Sequence, residues 1–143
     1  MKRITTLLIV PALAAALFAH GGNNDMGFKI NDLLPLPMPG QFIKSKNELL
    51  EVTPEQFERL ASEVHPLMHE QYAEKSEAIE AMEKEIRKAV IKGADDKILK
   101  PRLEALTRLK IEATQIKIDA FNGFKKILTK EQWAMVLELM KNR

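Results

Sequence analysis

Hydrophobic residues recur every three or four positions along two long segments of the chain, which is the spacing of one face of an α-helix. The first segment predicts a helix over residues 54 to about 92, and the second predicts one from residue 95 or 96 to residue 127 or 128. Gly93 lies between them, where a glycine readily ends a helix. Helices of about 30 to 40 residues extend roughly 45–60 Å, so we predict that the two form a long antiparallel hairpin.

Shorter helices are predicted on either side of this pair, over residues 41–50 and from residue 130 to about 141, so the predicted fold class is all-α. The predicted inward side of the first short helix consists of Phe42, Ile43, Leu49 and Leu50. Pro66 lies inside the first long helix, but the apolar stripe continues on both sides of it, so we expect a kink rather than an end. Pro101 lies near the start of the second long helix and is expected to bend or delay it.

Two isoleucines depart from the main apolar stripe of the second long helix. Ile111 and Ile118 lie seven residues apart on the face nearly opposite that stripe. Because a thin hairpin cannot cover two faces of one helix, we predict either a homodimer or a concave surface that is open to client proteins. The alternative is that the last helix or an N-terminal arm covers them.

A short motif occurs twice, each time at a predicted helix start. The two copies are Val52-Thr53-Pro54-Glu55-Gln56 and Leu128-Thr129-Lys130-Glu131-Gln132. In each copy the threonine can cap the helix, and the glutamine three residues later can return a hydrogen bond to the threonine backbone. We expect these residues to set the shape of the hairpin ends rather than to contact a client. The motif residues are Val52, Thr53, Gln56, Leu128, Thr129 and Gln132.

The N-terminus has the pattern of a secretory signal peptide. Lys2 and Arg3 precede an apolar run over residues 4–18, which is too short to span a bilayer comfortably, and we predict that residues 1–19 are removed. Residues 20–40 then form a flexible, proline-rich arm that either lies along its own helices or reaches a partner. Residues 41–143 form the helical domain.

The amino-acid composition argues against several classes of function and of binding site for this chain. Removal of Lys2 and Arg3 from the 22 basic residues leaves 20 against 20 acidic ones, so the mature chain is neutral, which does not favour nucleic-acid binding. Cysteine is absent, so no disulfide, thiolate metal site or lipoprotein anchor is expected. There is no second hydrophobic run, so we predict no stable membrane anchor and a periplasmic location. No phosphate-binding loop or catalytic constellation stands out, so no enzymatic activity is predicted.

His65 and His69 are the one pair of residues that suggests a metal site. They lie four residues apart on one helix face and could hold zinc, nickel or copper. Further ligands would have to come from Glu63, Glu70, a methionine or a second subunit. The alternative is that both histidines merely flank the apolar stripe.

These features together resemble the Spy/CpxP family of periplasmic stress proteins. The resemblance rests on the signal peptide, the cysteine-free helical chain and the two apolar-Thr-x-x-Gln motifs, and it covers roughly residues 41–143. It implies an all-α, cradle-shaped antiparallel homodimer without ATP or cofactor, which holds unfolding envelope proteins or restrains an envelope-stress sensor kinase. Related members bind zinc, nickel or cobalt. Val52 stands where the family has leucine, and no histidine follows residue 69, where metal-sensing relatives add a His-x-x-x-Met pair.

The function predicted from the sequence is that of an ATP-independent periplasmic chaperone. The residues expected to face a client are Ile111, Ile118, Lys110 and Lys117, with charged side chains for fast capture and apolar ones for holding. The alternatives are a metal-binding sensor or scavenger centred on His65 and His69, and an adaptor that docks on a sensor kinase.

Overall fold

The computed structural model describes residues 33–141, which fold into helices joined by short turns. This range contains no β-strand, so the predicted all-α class is confirmed for it. The predicted signal peptide and residues 20–32 of the predicted arm lie outside the described residues. The helical segments, in order, are α1 (Gly40–Ser45), α2 (Asn47–Leu50), α3 (Pro54–Arg59), two π-helical segments (Leu60–Val64 and Leu67–Tyr72), α4 (Ala73–Ile91), α5 (Asp96–Ile127) and α6 (Lys130–Lys141).

The first long helix runs without a break from the start of α3 to the end of α4, which confirms its predicted extent. Pro66 does not end it, but the helix widens to π geometry on both sides of that residue. Proline has no N–H for the usual bond four residues back, and its ring clashes with the carbonyl there. The π-helical segments on either side of Pro66 let the helix continue past it.

The predicted helix over residues 41–50 is divided in two at Lys46, whose backbone leaves helical geometry (φ −127°, ψ 25°). Ile43 and Leu50 are buried as predicted. Leu49 is 58% exposed, so the prediction that it faces inward was wrong. Adjacent residues of a helix point about 100° apart, so the packing that buries Leu50 leaves Leu49 facing solvent.

The second long helix, α5, begins and ends where the sequence predicted. The Asp95 side chain accepts a hydrogen bond from the Ile98 N–H at 3.1 Å, so Asp95 caps the helix. Pro101 lies within α5 and does not delay its start, because the helix already begins at Asp96. Gly93, with φ of 80°, takes the left-handed conformation that ends α4.

Contacts between α4 and α5 hold the middle of the two long helices together. Buried Tyr72, Ile79 and Ala113 form a small apolar cluster there. Lys110 pairs with Glu83 at 2.7 Å, as expected for a basic helix beside an acidic one. In a second ion pair the lysine lies on α4 and the carboxylate on α5, since Lys75 bonds to Glu112 at 2.6 Å. This hydrogen bond and the negative charge of Glu112 raise the pKa of Lys75.

The larger apolar core lies at the other end of the long helices, where α1 and α2 pack against α6. Two residues of the arm take part, since Pro39 is fully buried and Met38 packs against the core. The described part of the arm therefore lies on its own helices. The buried members of this core are Ile43, Leu50, Leu60, Val64, Ala120, Phe124, Ile127, Leu128 and Val136.

Gly123 lets α5 approach the first π-helical segment closely, because a Cβ added at Gly123 would lie 2.8 Å from Val64 Cγ2. Valine is stiff at χ1, and Val64 is buried, so it cannot turn away. We expect Gly123→Ala to lower the free energy of unfolding by about 1–3 kcal/mol through overpacking, despite the better helix propensity of alanine.

Urea denaturation measures this effect. The matched control is Asn122→Ala, one residue away and exposed, which should leave the free energy of unfolding unchanged or raise it. In a Val64→Ala background, Gly123→Ala should no longer destabilise. An unchanged or higher stability of Gly123→Ala alone would show that the close approach does not constrain the fold.

Candidate functional site

Each Thr-x-x-Gln motif forms a capping box at the start of a helix. At α3, the Gln56 N–H donates to Thr53 Oγ1 at 3.2 Å, and the Thr53 N–H donates to Gln56 Oε1 at 3.0 Å. At α6, the Gln132 N–H donates to Thr129 Oγ1 at 3.1 Å, and the Thr129 N–H donates to Gln132 Oε1 at 2.9 Å. The capping role predicted for both motifs is confirmed.

The same two glutamines also bond to each other across the fold. Gln56 Nε2 donates to Gln132 Oε1 at 2.7 Å, and Gln132 Nε2 donates to Gln56 Oε1 at 3.1 Å. Gln56 Nε2 also donates to the carbonyl of Ile127 at 3.1 Å. Gln132 Nε2 bonds in turn to the carbonyls of Leu50 at 2.9 Å and Glu51 at 3.2 Å. We call this arrangement of Gln56, Gln132 and the three carbonyls the glutamine clasp.

The glutamine clasp is nearly symmetric. Glu51 and Ile127 each lie two residues before the threonine of their motif, so each amide bonds to the equivalent carbonyl of the other motif. Each amide oxygen accepts one hydrogen bond from its own threonine N–H and one from the other amide. Both lone pairs of each oxygen are therefore used. The clasp therefore joins the starts of α3 and α6 to the ends of α2 and α5 at one place.

The apolar residue that precedes each threonine anchors the clasp to the large core. Leu128 is a buried member of that core, and half-buried Val52 packs against it. Gln132 is itself buried, with 7% of its surface exposed. Because a buried amide costs stability unless it is bonded, the clasp needs both motifs in place at once.

The sequence pointed to the caps but not to the clasp. One feature could have indicated it, namely that both motifs carry glutamine, since glutamate completes a capping box equally well. Only glutamine has N–H donors left over after its oxygen has capped the threonine. The choice of amide over carboxylate in both copies is thus explained by the second set of bonds.

Lys117 is not at the surface, so its prediction as a client-facing residue is wrong. It is 2% exposed, and its Nζ lies 5.1 Å from the centroid of the Tyr72 ring, which is a cation–π distance. The reason is helical spacing, because Lys117 lies four residues after Ala113 and three before Ala120, both of which are fully buried. Lysine can occupy such a position by burying its aliphatic stem.

The other three predicted client-facing residues differ in exposure. Ile111 is 52% exposed, and Ile118 is half-buried. Lys110 is half-buried and is held by its ion pair with Glu83. Exposed Leu103 lies eight residues before Ile111, on the same side of α5. We call Leu103, Ile111 and Ile118 the apolar face of α5.

The N-terminal arm is bonded to α5 at this apolar face. The Leu33 N–H donates to Thr114 Oγ1 at 2.8 Å, and Thr114 lies between Ile111 and Ile118. The Thr114 hydroxyl in turn donates to the Lys110 carbonyl at 2.7 Å. The arm thus reaches the place between the two isoleucines, as one alternative predicted, but it leaves Ile111 exposed.

The two histidines are brought together by the structure. The rings of His65 and His69 stack with centroids 4.1 Å apart and planes 15° from parallel. Among residues 33–141 there is no group of three or more His, Cys, Asp or Glu side chains placed to hold a metal ion. The pair alone supplies two ligands, fewer than the three or four protein ligands of zinc sites.

Gln56→Glu separates the clasp from the cap. The introduced carboxylate can still accept from the Thr53 N–H, but it cannot donate, and it faces the oxygens of Ile127 and Gln132. We expect a loss of about 2–3 kcal/mol in the free energy of unfolding at neutral pH. Thr53→Ala, which removes only the threonine cap, should cost about 1 kcal/mol.

Urea denaturation at several pH values checks this, with the wild type measured at each pH. The facing oxygens should raise the pKa of the introduced carboxyl, and its protonated form has one O–H to donate. The deficit of Gln56→Glu relative to wild type should therefore shrink as the pH falls below about 5. A deficit no larger than that of Thr53→Ala would mean that the clasp contributes nothing beyond the caps.

Thr114→Val tests the attachment of the arm. Valine keeps the shape of threonine but cannot accept the Leu33 N–H, so we expect a loss of about 1 kcal/mol or less and faster amide exchange at Leu33. The control is Thr107→Val, an exposed threonine two turns earlier on α5. Equal exchange at Leu33 in both variants would contradict the attachment.

Comparison of the chain with models of known protein families, with curated proteins and with solved structures gave no match. No helix among the described residues is long and apolar enough to cross a bilayer. The resemblance to the Spy/CpxP family therefore stays a prediction from the sequence.

Proposed function

We propose that this protein is an ATP-independent chaperone of the Spy/CpxP type, exported to the periplasm, that holds unfolding envelope proteins. The observation that carries the proposal is the apolar face of α5, where Leu103 and Ile111 are about half exposed. Large aliphatic side chains that are exposed on one side of a helix are typical of interaction sites.

The charge around this face fits weak, reversible capture. Lys100, Arg102 and Arg108 lie near Leu103, and Glu104 and Glu112 alternate with them along α5. Long-range attraction to charged segments of a client raises the rate of encounter, while a modest apolar area limits the strength of holding. A client that is held weakly can fold between encounters.

The proposal includes a dimer. In it, the two long helices form an antiparallel hairpin, and two copies associate into a cradle with the apolar face of α5 on its inner side. The exposure of Ile111 in a single chain supports this, because a second subunit would turn two isolated apolar faces into one continuous surface. Sedimentation equilibrium of the mature chain should give twice the monomer mass.

The test of chaperone activity is the aggregation of reduced α-lactalbumin with and without an equimolar amount of the mature protein, in the absence of ATP. We expect suppression by the wild type and weaker suppression by Ile111→Ser. Half-burial of an isoleucine against a client contributes about 1 kcal/mol, so the variant should need roughly fivefold more protein for equal protection. The matched control is Leu49→Ser, because Leu49 has a similar exposure but belongs to α2 and not to the apolar face of α5.

Absence of suppression by the wild type would refute the proposal. Equal loss of protection in Ile111→Ser and Leu49→Ser would refute the assignment of the face. The adaptor hypothesis predicts instead capture of a sensor kinase from envelope extracts by a protein that protects no client. The metal hypothesis predicts zinc, nickel or copper binding by calorimetry that is lost in His65→Ala/His69→Ala.

A further inference from the structure

The turn between α4 and α5 carries a concentration of positive charge. We call residues 84–102 the basic tip; it comprises the last turns of α4, the turn itself and the first turns of α5. Seven basic and three acidic residues give the basic tip a net charge of +4. All of residues 33–141 together carry 18 basic and 18 acidic residues, so the remainder of the described chain has a net charge of −4. Within the described residues, the excess positive charge is therefore concentrated at this turn.

Backbone bonds alone close this turn. The Ala94 N–H donates to the Ala89 carbonyl and the Gly93 N–H to the Val90 carbonyl, both at 3.0 Å, which is the Schellman pattern. On the other side of the turn, Asp95 caps α5. Because these bonds and the left-handed Gly93 are sufficient to reverse the chain, no large apolar side chain is needed at the turn.

Large apolar side chains are nevertheless present there. Ile91 is 79% exposed, the highest value among the exposed large hydrophobic residues of the described chain. Val90 is 53% exposed and Ile98 is 48% exposed, and they lie just before and just after the turn. Ile86, one turn further from it, is buried. The aliphatic side chains are thus presented to solvent at the end of the molecule and not within its core.

The surroundings of Glu85 reflect the positive potential of the basic tip. Glu85 bonds to Lys88 at 3.0 Å. This hydrogen bond and the charge of Lys88 lower the pKa of Glu85, and Arg102 from α5 and Lys84 lower it further. Of the other two acidic residues, Asp95 is used as the helix cap, so the basic side chains at the turn remain in excess.

We infer that the basic tip binds the surface of an anionic lipid bilayer. Its lysines and arginines complement lipid phosphates, and Val90, Ile91 and Ile98 reach the boundary between headgroups and acyl chains. A second copy of the chain is a poorer occupant, because two tips of charge +4 repel each other. The association is peripheral, and the aliphatic residues that it uses, Val90, Ile91 and Ile98, are different from those of the apolar face of α5.

Co-sedimentation of the mature protein with vesicles tests the inference. The vesicles consist of phosphatidylcholine alone or of phosphatidylcholine with about one third phosphatidylglycerol. We expect binding to the anionic vesicles only, weakening as salt is added. Lys84→Gln/Lys92→Gln/Lys97→Gln, which changes three exposed lysines of the tip, should weaken it at least about tenfold, since each basic residue near such a surface contributes about fivefold in affinity.

Two matched controls test whether vesicle binding depends on the position of the positive charge and of the apolar side chain, and not only on their presence. Lys125→Gln/Lys126→Gln/Lys130→Gln removes the same charge from exposed positions at the end of α5 and the start of α6 and should bind like the wild type. Ile91→Ser should weaken vesicle binding, whereas Leu49→Ser should not, although both residues are exposed. All four variants alter exposed side chains, and circular dichroism verifies that each is folded.

Three results would overturn the inference. The first is that the wild type does not bind anionic vesicles, and the second is that the two triple-lysine variants lose vesicle binding equally. The third is a change of oligomeric mass caused by Ile91→Ser, which would identify the tip as a contact between copies. Reduced α-lactalbumin protection is measured in parallel on the tip variants. Because the proposed chaperone face lies elsewhere, protection should be retained when vesicle binding is lost.

Discussion

The reciprocal bonding of two side-chain amides determines how this chain is closed. Gln56 and Gln132 each cap their own helix and bond to the other, so neither can be satisfied unless both motifs meet. A buried amide that lacks its partners costs more than a typical hydrogen bond contributes, which makes the arrangement nearly all-or-none. The large core forms around it, with Leu128 and Val136 buried on the side of α6.

The number of buried apolar side chains falls with distance from the clasp. The middle of the long helices has a small cluster around Tyr72 and Ile79, and ion pairs bridge the helices beside it. At the basic tip, Ile86 is the last buried large side chain of α4, and the aliphatic residues beyond it face solvent. The stable end holds the shape, which leaves the less packed surfaces available for interaction. This division is why the proposed client face and the proposed lipid contact both lie on the part of the molecule remote from the clasp.

Local chemistry along the chain was sufficient to predict the all-α class, the extents of the two long helices and both capping boxes. These features depend on residues within four positions of one another, such as Thr53 with Gln56 or Asp95 with Ile98. Periodicity also identified Ile111 as exposed, whereas Lys117 was predicted at the surface as a charged neighbour of Ile118 and is buried. A lysine is expected in water, and only the neighbouring buried alanines and the Tyr72 ring explain its burial.

What the sequence by itself determined is therefore where helices begin and end, because those choices are made by short-range hydrogen bonds and glycine or proline geometry. Only the tertiary structure decided which amide meets which carbonyl, since Gln132 and Leu50 are 82 residues apart and nothing in either local pattern specifies the pairing. The same holds for the π turns around Pro66 and for the arm bonded to Thr114. The two Thr-x-x-Gln motifs could be recognised as helix starts, but the contact that makes both of them necessary appears only when the chain is folded.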